Sequence, residues 1–591
     1  MANEATFILF SLLICCWVAW KLVSLAHSTR RPVSFPPGPR TLPFLGNLHQ
    51  IPAHKAFLKY KRNTDQCSSP TADLPYRFQE WSRVYGPIIS LKTGPSNLVI
   101  LNRAKDVREL FDKRGAIYSS RPPNHIGNEL ITRDNVHLLL MPYGKEWRNQ
   151  RKIYQAILSI SAVRALTPLQ EAEATLTISQ LAQSSESYYD HIRRYSTAVI
   201  LSSVFGIRGP EFNHPNITRL YHVQDQFTAI LETGATPPID VFPFLKHLPD
   251  FMSPWRRWAQ RIRAEQRQLY FELLQEVKSQ RKRGIQRNCF MSQLLDEEFC
   301  AKHELDEEHI AYIGGVLMEG GSDTTSSTLL SFLLAMVKYP KVFRKAQEEV
   351  DRVCGTKESP TFDQLARLPY LKHCVFEVGF PYPSLRALHP LTSIFEGPTL
   401  EACRSGRHSP CADPRYTLIP HDSNQLLMVV DDEYNGYKFP TGTTFLANTW
   451  AIHHDPELYE CPQDFVPERY EANPLGLKPD IQELPDGIRQ TYGFGAGRRI
   501  CPGSHLAENS LSINLAKILW AFDIRAGIDP STGHQLQGEE VNVDIGTQWT
   551  DGFLIAPKPF PIVMLLRSEK HREVLNRDLD EAQKIFQSYE D

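Results

Sequence analysis

Phe494-Gly495-Ala496-Gly497-Arg498-Arg499-Ile500-Cys501-Pro502-Gly503 carries more structural information than any other run in this chain. Gly495 and Gly497 permit tight turns and let the backbone approach a flat ligand closely. Two arginines follow, able to pair with a ligand carboxylate. Then comes one thiol, Cys501, and a helical pattern from Ser504 onward. A helix N-terminus beside a sulfur is expected to lower its pKa and temper its charge. The run therefore predicts a single thiolate, displayed on a glycine-rich turn with cationic donors beside it.

The ten residues follow the pattern F-G-x-G-x-R-x-C-x-G and resemble the haem-binding loop of the cytochrome P-450 family. The resemblance implies haem b as cofactor, Cys501 as the axial ligand of its iron, and Phe494, Arg499 and Gly503 as residues of the haem cradle. Arg499 would pair with a propionate. A single Cys thiolate pushes electron density onto haem iron and favours O–O cleavage.

Other segments extend the resemblance. Trp147-Arg148-Asn149-Gln150-Arg151 puts Trp147 and Arg151 one helical turn apart on one face; in the family this pair reaches a propionate. Met318-Glu319-Gly320-Gly321-Ser322-Asp323-Thr324-Thr325 lies within a long helical pattern. Glycine weakens a helix interior by roughly 1 kcal/mol, so two in succession suit a helix that opens a groove against a ligand. The run resembles the oxygen-activation motif [A/G]-G-x-[D/E]-T, which implies that Thr324 guides O–O cleavage by a hydrogen bond and that Asp323 relays protons. Asp464-Phe465-Val466-Pro467-Glu468-Arg469-Tyr470 resembles the F-x-P-E-R segment, in which Arg469 would join a buried ion-pair network. His453-His454-Asp455 reads as a polar turn rather than a metal site.

The chain has 591 residues, 42% hydrophobic and 22% charged, with formal net charge −2. That is enough for one large core, and too little basic excess for a nucleic-acid partner. The 11 cysteines show no paired metal spacing and read as reduced thiols of a cytosol-facing protein.

Thr6 to Trp20 is uncharged and mostly apolar, and the apolar run resumes after Lys21. With Lys21 snorkelling, this approaches the roughly 20 residues that a bilayer requires. Glu4 precedes it, while Arg30 and Arg31 follow, so the body is expected on the cytosolic side. Residues 1–30 are thus predicted to be a membrane anchor with its flank. Residues 31–40, with Phe35-Pro36-Pro37-Gly38-Pro39, form a stiff hinge. Residues 41–566 form one domain, and 567–591 a charged C-terminal tail. The expected fold is mainly α with a small β-rich lobe, the cytochrome P-450 fold after an N-terminal transmembrane helix.

One region breaks the family pattern. The family has E-x-x-R on a helix before the ladder that here begins at Asp431. Tyr370 to Glu377 leads into it, but Phe380 stands at the arginine position. Proline residues Pro381, Pro383, Pro390 and Pro398 then exclude a helix, and Glu377 is expected to lose its partner. Read one base later, the possible codons around residues 398–414 permit Leu-Arg-Trp-Arg-Pro-Val, which restores the arginine. Residues 378–429 are therefore expected to include translation of two unspliced introns, and residues 60–77 a third. Small retained introns suit a fungal source.

The resemblance implies a membrane-anchored haem-thiolate monooxygenase of the endoplasmic reticulum, single-pass, with its catalytic domain in the cytosol. Its partners would be O2, an NADPH-dependent reductase and a lipophilic small molecule, as in fungal secondary metabolism. Ser119 to Leu140, with Ile313, Gly314, Leu317 and Met318, are candidate pocket residues. The alternatives are a haem-thiolate isomerase or dehydratase, a haem-binding sensor without turnover, or an inactive product of a mis-spliced gene.

Overall fold

The computed structural model describes residues 2–50, 74–133, 136–232, 235–379, 425–462, 464–481, 483–550 and 555–590. The chain opens with α1 (Ala2–Ser28) and α2 (Leu74–Tyr85), then strands β1 (Ile88–Thr93), β2 (Ser96–Leu101) and β3 (Tyr118–Ser120). A helical body follows: α3 (Lys145–Ile157), α4 (Thr167–Gln183), α5 (Tyr188–Phe205), α6 (Pro215–Leu231), α7 (Pro254–Lys282), α8 (Glu307–Lys338), α9 (Pro340–Cys354) and α10 (Pro369–Gly379). Strands β4 (Gln425–Met428), β5 (Asp432–Tyr434), β6 (Tyr437–Phe439) and β7 (Thr444–Ala447) return to the β lobe. Helix α11 (Ser504–Ala521), strands β8 (Phe522–Ala526) and β9 (Ile562–Leu566), and α12 (Glu569–Glu590) complete the order.

The body is built around α8. Asp306 caps it, its carboxylate accepting the His309 amide at 2.8 Å, and Glu307 and Glu308 in the first turn suit the positive end of the helix dipole. Its 32 residues are apolar on nearly every face, as a helix surrounded by others requires. Leu330, Phe332 and Leu333 meet Ile178 of α4, Tyr195 of α5 and Ile518 and Trp520 of α11 in the largest apolar cluster. Each such side chain contributes about 1.5–3 kcal/mol on burial.

The main sheet runs β1-β2-β7-β4-β3. Strand β2 pairs in parallel with β7, Leu98 opposite Thr444, and the other pairs are antiparallel. The mainly helical body with a small sheet lobe agrees with the expected fold class.

Several expectations need correction. Helix α1 leaves Phe7, Phe10, Leu12, Leu13, Trp17 and Trp20 exposed, and the Lys21 ammonium lies over the Trp17 and Trp20 rings. Yet among the described residues no helix is long and apolar enough to cross a membrane. The uncharged run from Thr6 stops at Lys21, short of the roughly 20 residues required. The last residues assigned to foreign segments also belong to the fold. Helix α2 begins at Leu74, and β4 pairs with β3 and β7 while Leu426 and Met428 enter the core. Residues 60–73 and 380–424, including Phe380, lie outside the described residues.

Glu377 is not stranded. It is buried, and its carboxylate accepts from the Val466 amide at 2.9 Å and from Arg469 Nε at 3.2 Å. Burial raises its pKa, and the Arg469 charge opposes that rise. The charged C-terminal segment folds as α12, seating Ala582 and Phe586 against Ala172 of α4. Seven described cysteines are free thiols, but Cys461 is disulfide-bonded, an exception to the reading of all of them as reduced.

Candidate haem-thiolate site

The Cys501 loop is held by backbone geometry. Gly495 and Gly497 adopt φ of +79° and +65°, and a Cβ on Gly497 would stand 2.5 Å from the Phe111 carbonyl. The Gly497 amide donates to Asp112 at 2.8 Å, and the Cys501 amide closes the turn by donating to the Phe494 carbonyl at 2.8 Å. Cys501 has accessible surface although protein encloses its sulfur on most sides. Burial raises its thiol pKa, while the Gly503 amide and the Arg151 charge lower it. The expected net lowering is thus reversed in the protein by itself, because desolvation of the anion outweighs the helix terminus.

Arginines crowd beside this loop. Arg499 donates to three carbonyls, of Ser119 at 2.8 Å, Leu138 at 3.1 Å and Met141 at 2.7 Å, and lies 4.4 Å from the centre of the Trp147 ring. Burial, and then the charges of Arg121 and Arg151, press its pKa down. Arg151 donates to the Ile500 carbonyl, while its Nε and the Trp147 indole nitrogen are buried without a hydrogen-bond partner. Helix α3 thus brings the Trp147/Arg151 pair to the Cys501 loop. Arg121 lies in the candidate pocket loop Ser119 to Leu140, but its place beside Arg499 had no motif signal in sequence, and only the fold brings it here.

This donor set fits a haem. Orphaned N–H groups and mutually repelling guanidiniums suit its carboxylates, and a free thiol with accessible surface suits an iron ligand.

One strip of α8 is open. Gly320 and Thr324 are exposed within an otherwise buried helix, and a Cβ on Gly320 would meet nothing within 4 Å. The Thr324 hydroxyl donates to the Gly320 carbonyl at 2.7 Å. Gly321 has a different reason to be glycine, since a Cβ there would press on Ile200 of α5 at 2.8 Å. Asp323 turns away from the strip toward Arg193, 3.8 Å away, whose guanidinium stacks 3.6 Å over the Tyr221 ring. Burial pushes the Asp323 pKa up to about 6; Arg193 opposes this and Asp225 adds to it.

Of the candidate pocket residues on α8, Ile313, Gly314 and Met318 are packed into the core instead. Leu317 is buried in the same apolar cluster. His453 is structural, its Nε2 accepting the Tyr492 amide at 3.0 Å, and His454 stacks on Trp450.

Comparison with known proteins agrees with this geometry. A family model described as Cytochrome P450 matches residues 36–379 and 412–536. The chain is 36% identical over 572 residues to the cytochrome P450 monooxygenase atE of Aspergillus terreus, covering 96% of this chain and 94% of the relative. It is 33% identical over 587 residues to patI of Aspergillus clavatus, covering 99% and 98%, and 34% identical over 572 residues to macC of Penicillium terrestre, covering 95% of each. Both are likewise described as cytochrome P450 monooxygenases.

Proposed function

Because the chain belongs to the cytochrome P450 family and is an oxidoreductase of the monooxygenase type, we propose that it inserts one oxygen atom from O2 into a lipophilic organic substrate, with electrons drawn from NADPH through a reductase. The observation that carries this reading is the free Cys501 thiol on its glycine-held loop beside the Trp147, Arg151 and Arg499 donors. When bound, haem with a thiolate ligand supplies reductive cleavage of O2 and oxygen transfer. The protein supplies the rest. Arg151, Arg499 and the Trp147 indole N–H would hold the propionates and so orient the ring. The Gly503 amide and the Arg151 charge favour the anionic sulfur, against the burial that opposes it. Gly320 leaves α8 open at that point, and the Thr324 hydroxyl beside it would place a proton. Asp323 holds the next proton, with Arg193 between it and the outer helices.

The exposed apolar face of α1 supports attachment to the endoplasmic reticulum membrane with the catalytic body in the cytosol. The relatives are fungal monooxygenases, which supports a role in fungal secondary metabolism. The family match stops at residue 379 and resumes at 412, which supports the reading that translated introns interrupt the chain there.

The test of the site is spectroscopic. Haem-loaded protein reduced under CO should show the band of thiolate ligation near its usual red-shifted position, and Cys501→Ala should abolish it. Persistence of the band in that variant would remove Cys501 as ligand.

A further inference from the structure

A buried carboxylate lies outside the groups assigned above. Glu319 directly precedes Gly320 on α8 and is 9% exposed. One of its oxygens accepts from Gln266 Nε2 at 2.9 Å and from the Tyr270 hydroxyl, both on α7. The other accepts from His137 Nε2 at 3.0 Å. His137 is 1% exposed, packs against the Phe227 ring of α6, and leaves Nδ1 without a hydrogen-bond partner. No Lys or Arg pairs with Glu319 among the described residues.

Three donors thus converge on two oxygens of one buried carboxylate. The arrangement is built rather than incidental. A Cβ on Gly315 would fall 2.2 Å from the Tyr270 ring, so glycine there lets the ring lie on the α8 backbone, one turn before the carboxylate it bonds.

His137 begins a short segment that is fastened at both ends. The carbonyls of Leu138 and Met141 accept from Arg499, and that of Leu139 accepts from Arg121. At the His137 end the segment is tied to α8 beside the open strip. We propose that Glu319 and His137 are positioning residues: their hydrogen bond sets how far residues 137–141 stand from the Gly320–Thr324 strip, and so sets the room left for substrate. This rests on the reading of that strip as the ligand-facing side of the haem site.

The test uses haem-loaded protein with two iron-binding probes, imidazole and the bulkier 1-phenylimidazole, titrated spectroscopically. The ratio of their affinities reports room above the iron, independently of haem content. His137→Phe and Glu319→Gln should retain the CO band and shift the ratio about fivefold to tenfold, the size expected for one hydrogen bond. His137→Gln, whose amide N–H reaches the carboxylate, should restore the ratio toward wild type. Tyr270→Phe removes a donor from the same carboxylate on the α7 side and should leave the ratio within about twofold.

If Tyr270→Phe shifts the ratio as far as His137→Phe, Glu319 is only a packing element and the proposal fails. It also fails if neither His137→Phe nor Glu319→Gln moves the ratio. If His137→Phe does not load haem, the contrast between Glu319→Gln and His137→Gln decides by the same criterion. Absence of a thiolate CO band from the unsubstituted protein would instead overturn the haem reading itself.

Discussion

At the scale of single residues, the site sets neighbouring groups in contrasting environments. Asp323 and Thr324 are adjacent in sequence, yet the helix turns one toward Arg193 and the other toward the open strip. Burial raises the Asp323 pKa to about 6 from a model-compound 3.8, so the carboxyl exchanges its proton near working pH, as a relay group should. The sign for turnover follows: the protonated fraction falls as pH rises through about 6, and product formed per NADPH should fall with it. Asp323→Asn should remove that limb and slow turnover about 10²-fold, read as a pH profile of product and peroxide. Stability runs the same way. A carboxyl whose folded pKa is raised contributes fully below about pH 4 and loses that contribution as pH rises through 6. Asp323→Asn should therefore gain on the wild type between pH 4 and 7 in denaturation midpoints; an unchanged difference across that window would mean Asp323 is not buried as described.

At the scale of elements, α8 shows why one residue type can serve different ends. Gly315 and Gly321 are required by close packing, against Tyr270 and Ile200. Gly320 is required by nothing protein-made, for no atom stands within 4 Å of its would-be Cβ. The three should separate on mutation. Gly315→Ala should cost about 1–3 kcal/mol through overpacking against the Tyr270 ring. Gly320→Ala should be neutral or stabilising by up to about 1 kcal/mol through helix propensity, while weakening binding of iron ligands that need the open strip. Thermal denaturation beside ligand titration measures both, and equal destabilisation by the two would show that the strip at Gly320 is filled in the folded protein. The Glu377–Arg469 pair makes the complementary point. With Phe380 in place of the helix arginine, Arg469 on a distant segment still supplies a charge 3.2 Å from Glu377, so the buried carboxylate keeps one cation.

At the scale of the whole molecule, two further outcomes are expected. Deleting residues 1–30 should move protein from the membrane to the soluble fraction while the CO band persists, because α1 leaves its large apolar side chains in the open rather than in the core. Loss of the band on deletion would place that segment inside the folding unit. Sequencing of the transcript addresses the interrupted region: a spliced message should read Glu-Val-Leu-Arg-Trp-Arg-Pro from Glu377 and yield protein with higher haem content than the 591-residue chain. A message retaining residues 378–429, with full haem content in its product, would leave Phe380 as a true departure from the family.

The ligand loop, the Trp147/Arg151 spacing and the Gly320-to-Thr324 motif were legible because each is local. A turn requiring glycine, or two side chains four residues apart on a helix, is fixed by backbone geometry within a few residues. What the sequence could not show were relations made across the chain. Arg121 joins the arginine cluster, His137 reaches Glu319, Arg469 answers Glu377, and Gln425–Met428 becomes an inner strand of the sheet. Each depends on residues tens to hundreds of positions apart, and a polar residue's partner is set by where folding buries it. Even the Cys501 thiol obeyed this division: its display was written in ten residues, but the direction of its pKa was decided by desolvation that only the assembled core imposes.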